Sequence, residues 1–162
     1  MERNFETHIG YFIQETARIL TRVHNEMLNA HGISFSQFRV LNCLWENDGM
    51  NQSEIADILH IKPSSLSTLI SLLERKGFIV RTVDEVDTRS RRIFLTATGE
   101  SLKAVSWKII ETLEDILAET FTDAEKKLLL EWLRTAMESI SNQEKNMREA
   151  LDPKSENTEQ EE

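Results

Sequence analysis

The 162-residue chain holds one cysteine, Cys43, and four histidines, His8, His24, His31 and His60. Metal centres need such ligands clustered at short, regular spacing, and these are scattered, so the pattern predicts dispersed, exposed histidines and no metal. No glycine-rich phosphate loop or nucleophile elbow is present, which argues against an enzyme and against a bound cofactor. One cysteine cannot form an internal disulfide. The densest chemistry is cationic: Arg89, Arg91 and Arg92 fall within four residues, with Asp87 just before them. Guanidinium groups on an exposed tip suit the negative potential of a narrow minor groove, and a nearby carboxylate can hold one of them in a fixed pose.

The elements flanking that cluster decide how it is presented. Residues 78–83 and Arg92, Ile93, Phe94 and Leu95 are rich in β-branched and aromatic side chains and read as two strands of a hairpin, with the arginines at its tip. Ahead of them, Asn51 with Glu54 forms a capping-box start for a short helix that ends near His60, with Ile55, Ile58 and Leu59 as its apolar face. Ile61 and Lys62 make a turn. Pro63 then opens a second helix at the position where its missing N–H costs nothing. Leu66, Leu69, Ile70 and Leu73 form the inner stripe of this helix, and Gly77 stops it. Its opposite face carries Ser64, Thr68, Ser71 and Arg75, with Ser65, Ser67 and Leu72 on its flanks. Thin hydroxylated side chains let a backbone approach base edges, and hydroxyls and cations bond phosphates, so 63–76 has the chemistry of a recognition helix in the major groove. The whole segment predicts a winged helix-turn-helix.

Three further stretches carry a family likeness: Ser34-Phe35-Ser36-Gln37-Phe38-Arg39-Val40-Leu41, Asn51-Gln52-Ser53-Glu54-Ile55-Ala56, and Leu72-Leu73-Glu74-Arg75-Lys76-Gly77-Phe78-Ile79. With Asp84-x-x-Asp87-x-Arg89 and Leu95-Thr96-x-x-Gly99, in this order and spacing, the chain from about residue 5 to 145 resembles the MarR family of bacterial transcription regulators. The resemblance implies a homodimer whose first and last helices intertwine, recognition helices in successive major grooves, and a wing arginine in the minor groove, with Asp87 and Arg89 in the paired roles. It also implies a repressor of a pseudo-palindromic operator, released by a small-molecule effector or by oxidation. The basic run here is displaced relative to members with Asp-Arg-Arg at the tip, which leaves open whether Arg89, Arg91 or Arg92 goes deepest.

A net charge of −9 opposes a polyanionic partner when taken over the whole chain, but its distribution does not. Residues 51–92 sum to +1, against −2 for 1–50 and −8 for 93–162. Screening over roughly 8 Å at physiological salt separates the acidic flanks from the reader. The absence of a long apolar run and of a signal-peptide pattern predicts a cytoplasmic protein.

Around the reader, Phe5, Ile9, Phe12, Ile13, Thr16, Leu20, Val23 and Met27 keep helical spacing, and Gly32 ends the run. Ser34 and Gln37 cap a helix whose Phe38, Leu41 and Trp45 share a face. After the wing, Leu102, Val105, Ile109, Leu113, Ile116 and Leu117 run helically to Phe121. Thr122 with Glu125 restarts a helix carrying Leu128, Leu129, Trp132, Leu133, Ala136, Met137 and Ile140. These faces exceed what a small lobe covers, so a partner subunit is expected. We therefore expect a mainly α fold with a small β-wing. It is a single domain over 1–150, with the DNA-binding lobe at 34–99 and helical dimerisation regions at 5–30 and 100–145. The acidic 152–162 tail lacks any apolar anchor and is expected to be disordered.

The expected partners are double-stranded DNA, a second copy of the chain and a small-molecule effector, with no membrane. Lys62, Ser64, Ser65, Thr68, Ser71 and Arg75 are assigned to the major groove and flanking phosphates, Arg89 to the minor groove with Asp87, and Arg91 and Arg92 to the backbone. Tyr11, Phe12, Phe38 and Trp45 supply aromatic surface near the helical junction. They are equally read as core. Two alternatives stand beside this reading. One is a winged helix that binds only protein partners. The other is a redox sensor at Cys43, which lies one turn after the cation of Arg39 and roughly 140° from the Phe38 stripe. Peroxide-sensing members place their reactive cysteine in the first helix, so the resemblance does not favour the second.

Overall fold

The computed structural model describes residues 7–83 and 91–150, with side chains through residue 147. The chain order is α1 (Ile9–Asn29), α2 (Phe35–Glu46), β1 (Met50–Asn51), α3 (Gln52–Leu59), α4 (Pro63–Arg75), β2 (Ile79–Val83), β3 (Arg91–Leu95), α5 (Ala97–Ala118) and α6 (Asp123–Ala150). This is the mainly helical winged fold expected, and its compact units divide after Asp115.

Local chemistry sets most boundaries. The Ser34 hydroxyl accepts from Gln37 N while the Gln37 side chain accepts from Ser34 N, and Asn51 and Glu54 do the same at α3. Each pair satisfies two amide donors that a helix start leaves without partners. Pro63 is the first residue of α4. Past the other end of α4, Gly77 N donates to Glu74 O at 2.9 Å and Phe78 N to Leu73 O at 3.0 Å. That double closure needs a left-handed residue, and Gly77 supplies it at φ +73°. Because Phe78 is spent on this turn, β2 starts one residue later than its apolar pattern suggests.

The sheet has one strand that periodicity did not reveal. Its antiparallel order is β1-β3-β2, with Met50 opposite Ile93 and Asn51 opposite Arg92 on one side, and Ile79 opposite Leu95 through Val83 opposite Arg91 on the other. A two-residue strand is too short to show alternation.

The core of the first unit joins Leu28, Ile33, Val40, Leu41 and Leu44 to Ile55, Leu66, Ile70, Leu73, Ile79 and Ile93. One expectation is corrected here. Ile58 is exposed and does not share the inner face of Ile55 and Leu59, since a residue three beyond Ile55 is swung roughly 60° from it. From α1 the buried residues are His24 and Leu28, whereas Ile9, Phe12 and Ile13 lie open.

Helix α5 begins earlier than its apolar run, because Thr96 anchors it. The Thr96 hydroxyl accepts from Gly99 N at 3.1 Å and donates to Gly77 O at 2.6 Å. Gly99 itself packs so closely that a Cβ there would lie 2.0 Å from Phe78 O. Trp45 Nε1 donates to the Gly99 carbonyl at 3.2 Å, tying α2 to the start of α5. In the second unit the Thr122–Glu125 pair opens α6 as the sequence indicates.

Candidate nucleic-acid interface

Helix α4 is held from both ends. At its start, Gln52 Nε2 donates to Pro63 O at 3.2 Å, and Arg39 Nη2 reaches Leu59 O at 3.1 Å, closing the end of α3 just before the turn. His60 makes that turn in the left-handed conformation, φ 51°. At its finish, the Lys76 ammonium donates to Gly32 O at 2.7 Å and to Gln37 Oε1 at 2.9 Å. The helix is thereby fastened to the α1–α2 junction, and its outward face is presented without freedom to rotate.

On that face Lys62, Ser64, Ser65, Thr68 and Arg75 are exposed and Ser71 is half-buried. Thr68 Oγ1 donates to Ser64 O at 3.2 Å, which leaves the oxygen lone pairs outward as acceptors. The start of α4 has no side-chain cap, Lys62 being an all-donor residue, and the positive end of the helix dipole lies there. Hydroxyls and two cations thus line this surface, with the half-buried Leu72 at its flank.

The wing contributes unequally. Arg91, at the outer end of β3, is exposed. Arg92 is half-buried, and its Nη1 donates to Gly49 O at 2.9 Å. Asp87 and Arg89 lie outside the described residues. Arg81 on β2 forms an ion pair with Glu74 in the last turn of α4. That hydrogen bond holds the Glu74 carboxyl below the ordinary carboxylate range, with a smaller pull from the charge of Arg91. Sequence reasoning assigned no role to Gln52, Lys76, Arg81 or Glu74. The signal available was a carboxylate and a cation seven residues apart across a glycine stop.

The remaining candidates sort differently. His24 is buried, a correction to the expectation of exposed histidines: its ring sits 4.9 Å from Phe35 and 5.0 Å from Phe38, and burial pushes its pKa down. Cys43 is buried, and desolvation pushes its thiol up despite the opposing field of Arg39. Phe38 and Trp45 belong to the core, while Tyr11 and Phe12 are exposed. Among the described residues no cluster of His, Cys, Asp or Glu could hold a metal ion. No helix among them is long and apolar enough to cross a membrane.

Residues 33–90, which take in α2 through β2, match the MarR family model. The regulator YwoH of Bacillus subtilis is 31% identical over 121 residues, covering 74% of this chain and 87% of that protein. The chain belongs to the MarR family. The match to TtmR of Methylorubrum extorquens is 30% identical and spans about half of that longer relative, 52%. Among solved structures, a MarR regulator from Methanosarcina mazei Go1 superposes with TM-score 0.76 at 30% identity, over 83% of this chain and 96% of that one. MepR of S. aureus, crystallised with DNA, superposes with TM-score 0.74 at 27% identity, over 81% and 97%. Membership makes this chain a DNA-binding transcriptional regulator and not an enzyme.

Proposed function

We propose that the protein acts in the cytoplasm as a homodimeric repressor that reads a pseudo-palindromic operator and is released by a small-molecule effector. The observation that carries the reading is the outward face of α4, where Ser64, Ser65, Thr68 and Arg75 are exposed beside the open cation of Arg91. In this reading Lys62 and the α4 amides meet phosphate, Ser64, Ser65, Thr68 and Ser71 meet base edges or flanking phosphates, and Arg75, Arg91 and Arg92 meet the backbone. Asp87 and Arg89 are assigned to the minor groove on the sequence resemblance alone.

Dimerisation is supported by apolar side chains left uncovered on one chain: Ile9 and Phe12 on α1, Ile116 near the end of α5, and Trp132, Met137 and Ile140 on α6. Two recognition helices are needed for half-sites about 10 bp apart. Repression and effector release rest on the family resemblance. The crystal complex of MepR with DNA supports the mode of binding.

The test is binding to inverted-repeat fragments selected from genomic DNA. Affinity should fall steeply with salt, and Arg75→Ala or Arg91→Ala should each flatten the log–log slope by about 0.9 as one phosphate contact is lost. Thr68→Ala and Ser71→Ala should change base preference, and Arg89→Ala should weaken operator binding with the dimer intact. Salt-independent or absent binding by the unaltered protein would overturn the reading.

A further inference from the structure

Glu74 is oddly placed for a residue on a DNA-reading helix. It sits in the last turn of α4, where the negative end of the helix dipole disfavours a carboxylate. It also neighbours a surface expected to approach phosphates. Its partner is Arg81, third residue of β2, whose side chain shares the α4-facing side of the strand with buried Ile79. The pair stays accessible, with side-chain exposures of 29% for Arg81 and 36% for Glu74. Arg75 stands next to Glu74 in the chain, and the field of Arg91 reaches the Glu74 carboxyl.

Adjacent major and minor grooves are separated by a single phosphodiester strand. A protein that puts α4 in one and the wing in the other must therefore pass that strand over the surface between them, where Arg81 stands. An unpaired guanidinium there would grip phosphate on any sequence.

Resting on the reading of α4 and the wing as the DNA interface, we propose that Glu74 is a specificity-determining residue: its carboxylate holds Arg81 away from the phosphate backbone and so suppresses binding to random DNA. The pair keeps the wing strand braced to α4 without adding a sequence-blind contact. Lys76, two residues after Glu74, is likewise engaged with protein, at Gly32 O and Gln37 Oε1. Among the described residues, the cations left open near the end of α4 are Arg75 and Arg91, so discrimination depends on which arginines are silenced as well as on which are presented.

The experiment measures salt-dependent affinity of the full chain for random duplex DNA and for its selected operator. Glu74→Gln should tighten random-DNA binding by about threefold or more and steepen its salt slope by about 0.9, the contribution of one extra phosphate. The operator-to-random affinity ratio should fall by at least the same factor. Arg81→Gln alone should not tighten random-DNA binding, and the double variant should lose the gain. Glu74→Asp should restore discrimination. Equal weakening on both DNAs by Glu74→Gln would make the pair a brace only and overturn the inference, as would a gain in random-DNA affinity that persists in the double variant. If the unaltered protein binds neither DNA, it is the interface reading that has failed. That result is separate from any behaviour of the variants.

Discussion

Arg92 donates from Nη1 to the carbonyl oxygen of Gly49 at 2.9 Å, so the return strand of the wing fastens the turn that leads into β1. Gly49 N in turn donates to Ile93 O at 3.1 Å. The turn residue sits at φ +78°, and a Cβ there would come within 2.6 Å of Phe94 Cε1. Gly49→Ala therefore meets both backbone strain and a ring edge, and should cost about 1–3 kcal/mol. Arg92→Ala leaves a charge-assisted bond unmade and should cost about 1–2 kcal/mol. Urea denaturation measures both, and an unchanged midpoint in either would dismiss the corresponding contact.

His24 makes stability depend on pH. Its Nε2 is buried with no hydrogen-bond partner among the described residues, and burial lowers its pKa below the ordinary value near 6.5. The unfolded chain then binds the proton at a higher pH than the folded one. Stability consequently rises with pH through the window just below about 6.5 and is lost as pH falls into it. His24→Phe keeps an aromatic ring against Phe35 and Phe38 and removes the titration. The difference in unfolding free energy between variant and unaltered protein should grow in favour of the variant from pH 7.5 to 5.5. A constant difference would mean that His24 is solvated or paired.

What the chain reveals in its sequence is mostly what is decided within four residues. The pairs Ser34–Gln37, Asn51–Glu54 and Thr122–Glu125 are complete in themselves, which is why three helix starts are legible. Pro63 and Gly77 bracket α4 for the same reason. By contrast, the surroundings of His24 come from Phe35 and Phe38 on another helix, and no periodicity in α1 announces them. The Arg92–Gly49 bond spans 43 positions. Arginine density at 89–92 drew attention to the wing tip, yet the structure turns part of Arg92 inward and pairs Arg81, outside that cluster, with α4. Which cations face solvent is a tertiary fact, read only once β2 and β3 are in register.

Cys43 should be chemically quiet. It is 7% exposed, and burial raises its thiol pKa more than Arg39 lowers it, so little thiolate forms at neutral pH. Iodoacetamide should label the native protein far more slowly than the urea-unfolded one. Operator binding should be equally insensitive to hydrogen peroxide in the unaltered protein and in Cys43→Ser. Release by peroxide that Cys43→Ser abolishes would instead establish a redox switch.

Helix α6 carries the strongest expectation about assembly. Leu130, Leu133, Met137, Ile140 and Met147 recur at alternating steps of three and four residues, interrupted once at Glu144, and all five are exposed on the single chain. That spacing is a coiled-coil seam, which gains its stability only against another helix. Met137→Asp combined with Ile140→Asp places two carboxylates in the seam and should convert the proposed dimer to monomer in sedimentation equilibrium at micromolar concentration. Operator affinity should fall by about 100-fold or more, because the second half-site is no longer delivered at high effective concentration. Binding to a single half-site should be little affected, since α4 and its hydroxyl face remain as they were. A variant that stays dimeric would move the interface to α1 and α5, where Ile9, Phe12 and Ile116 are the next surfaces to charge.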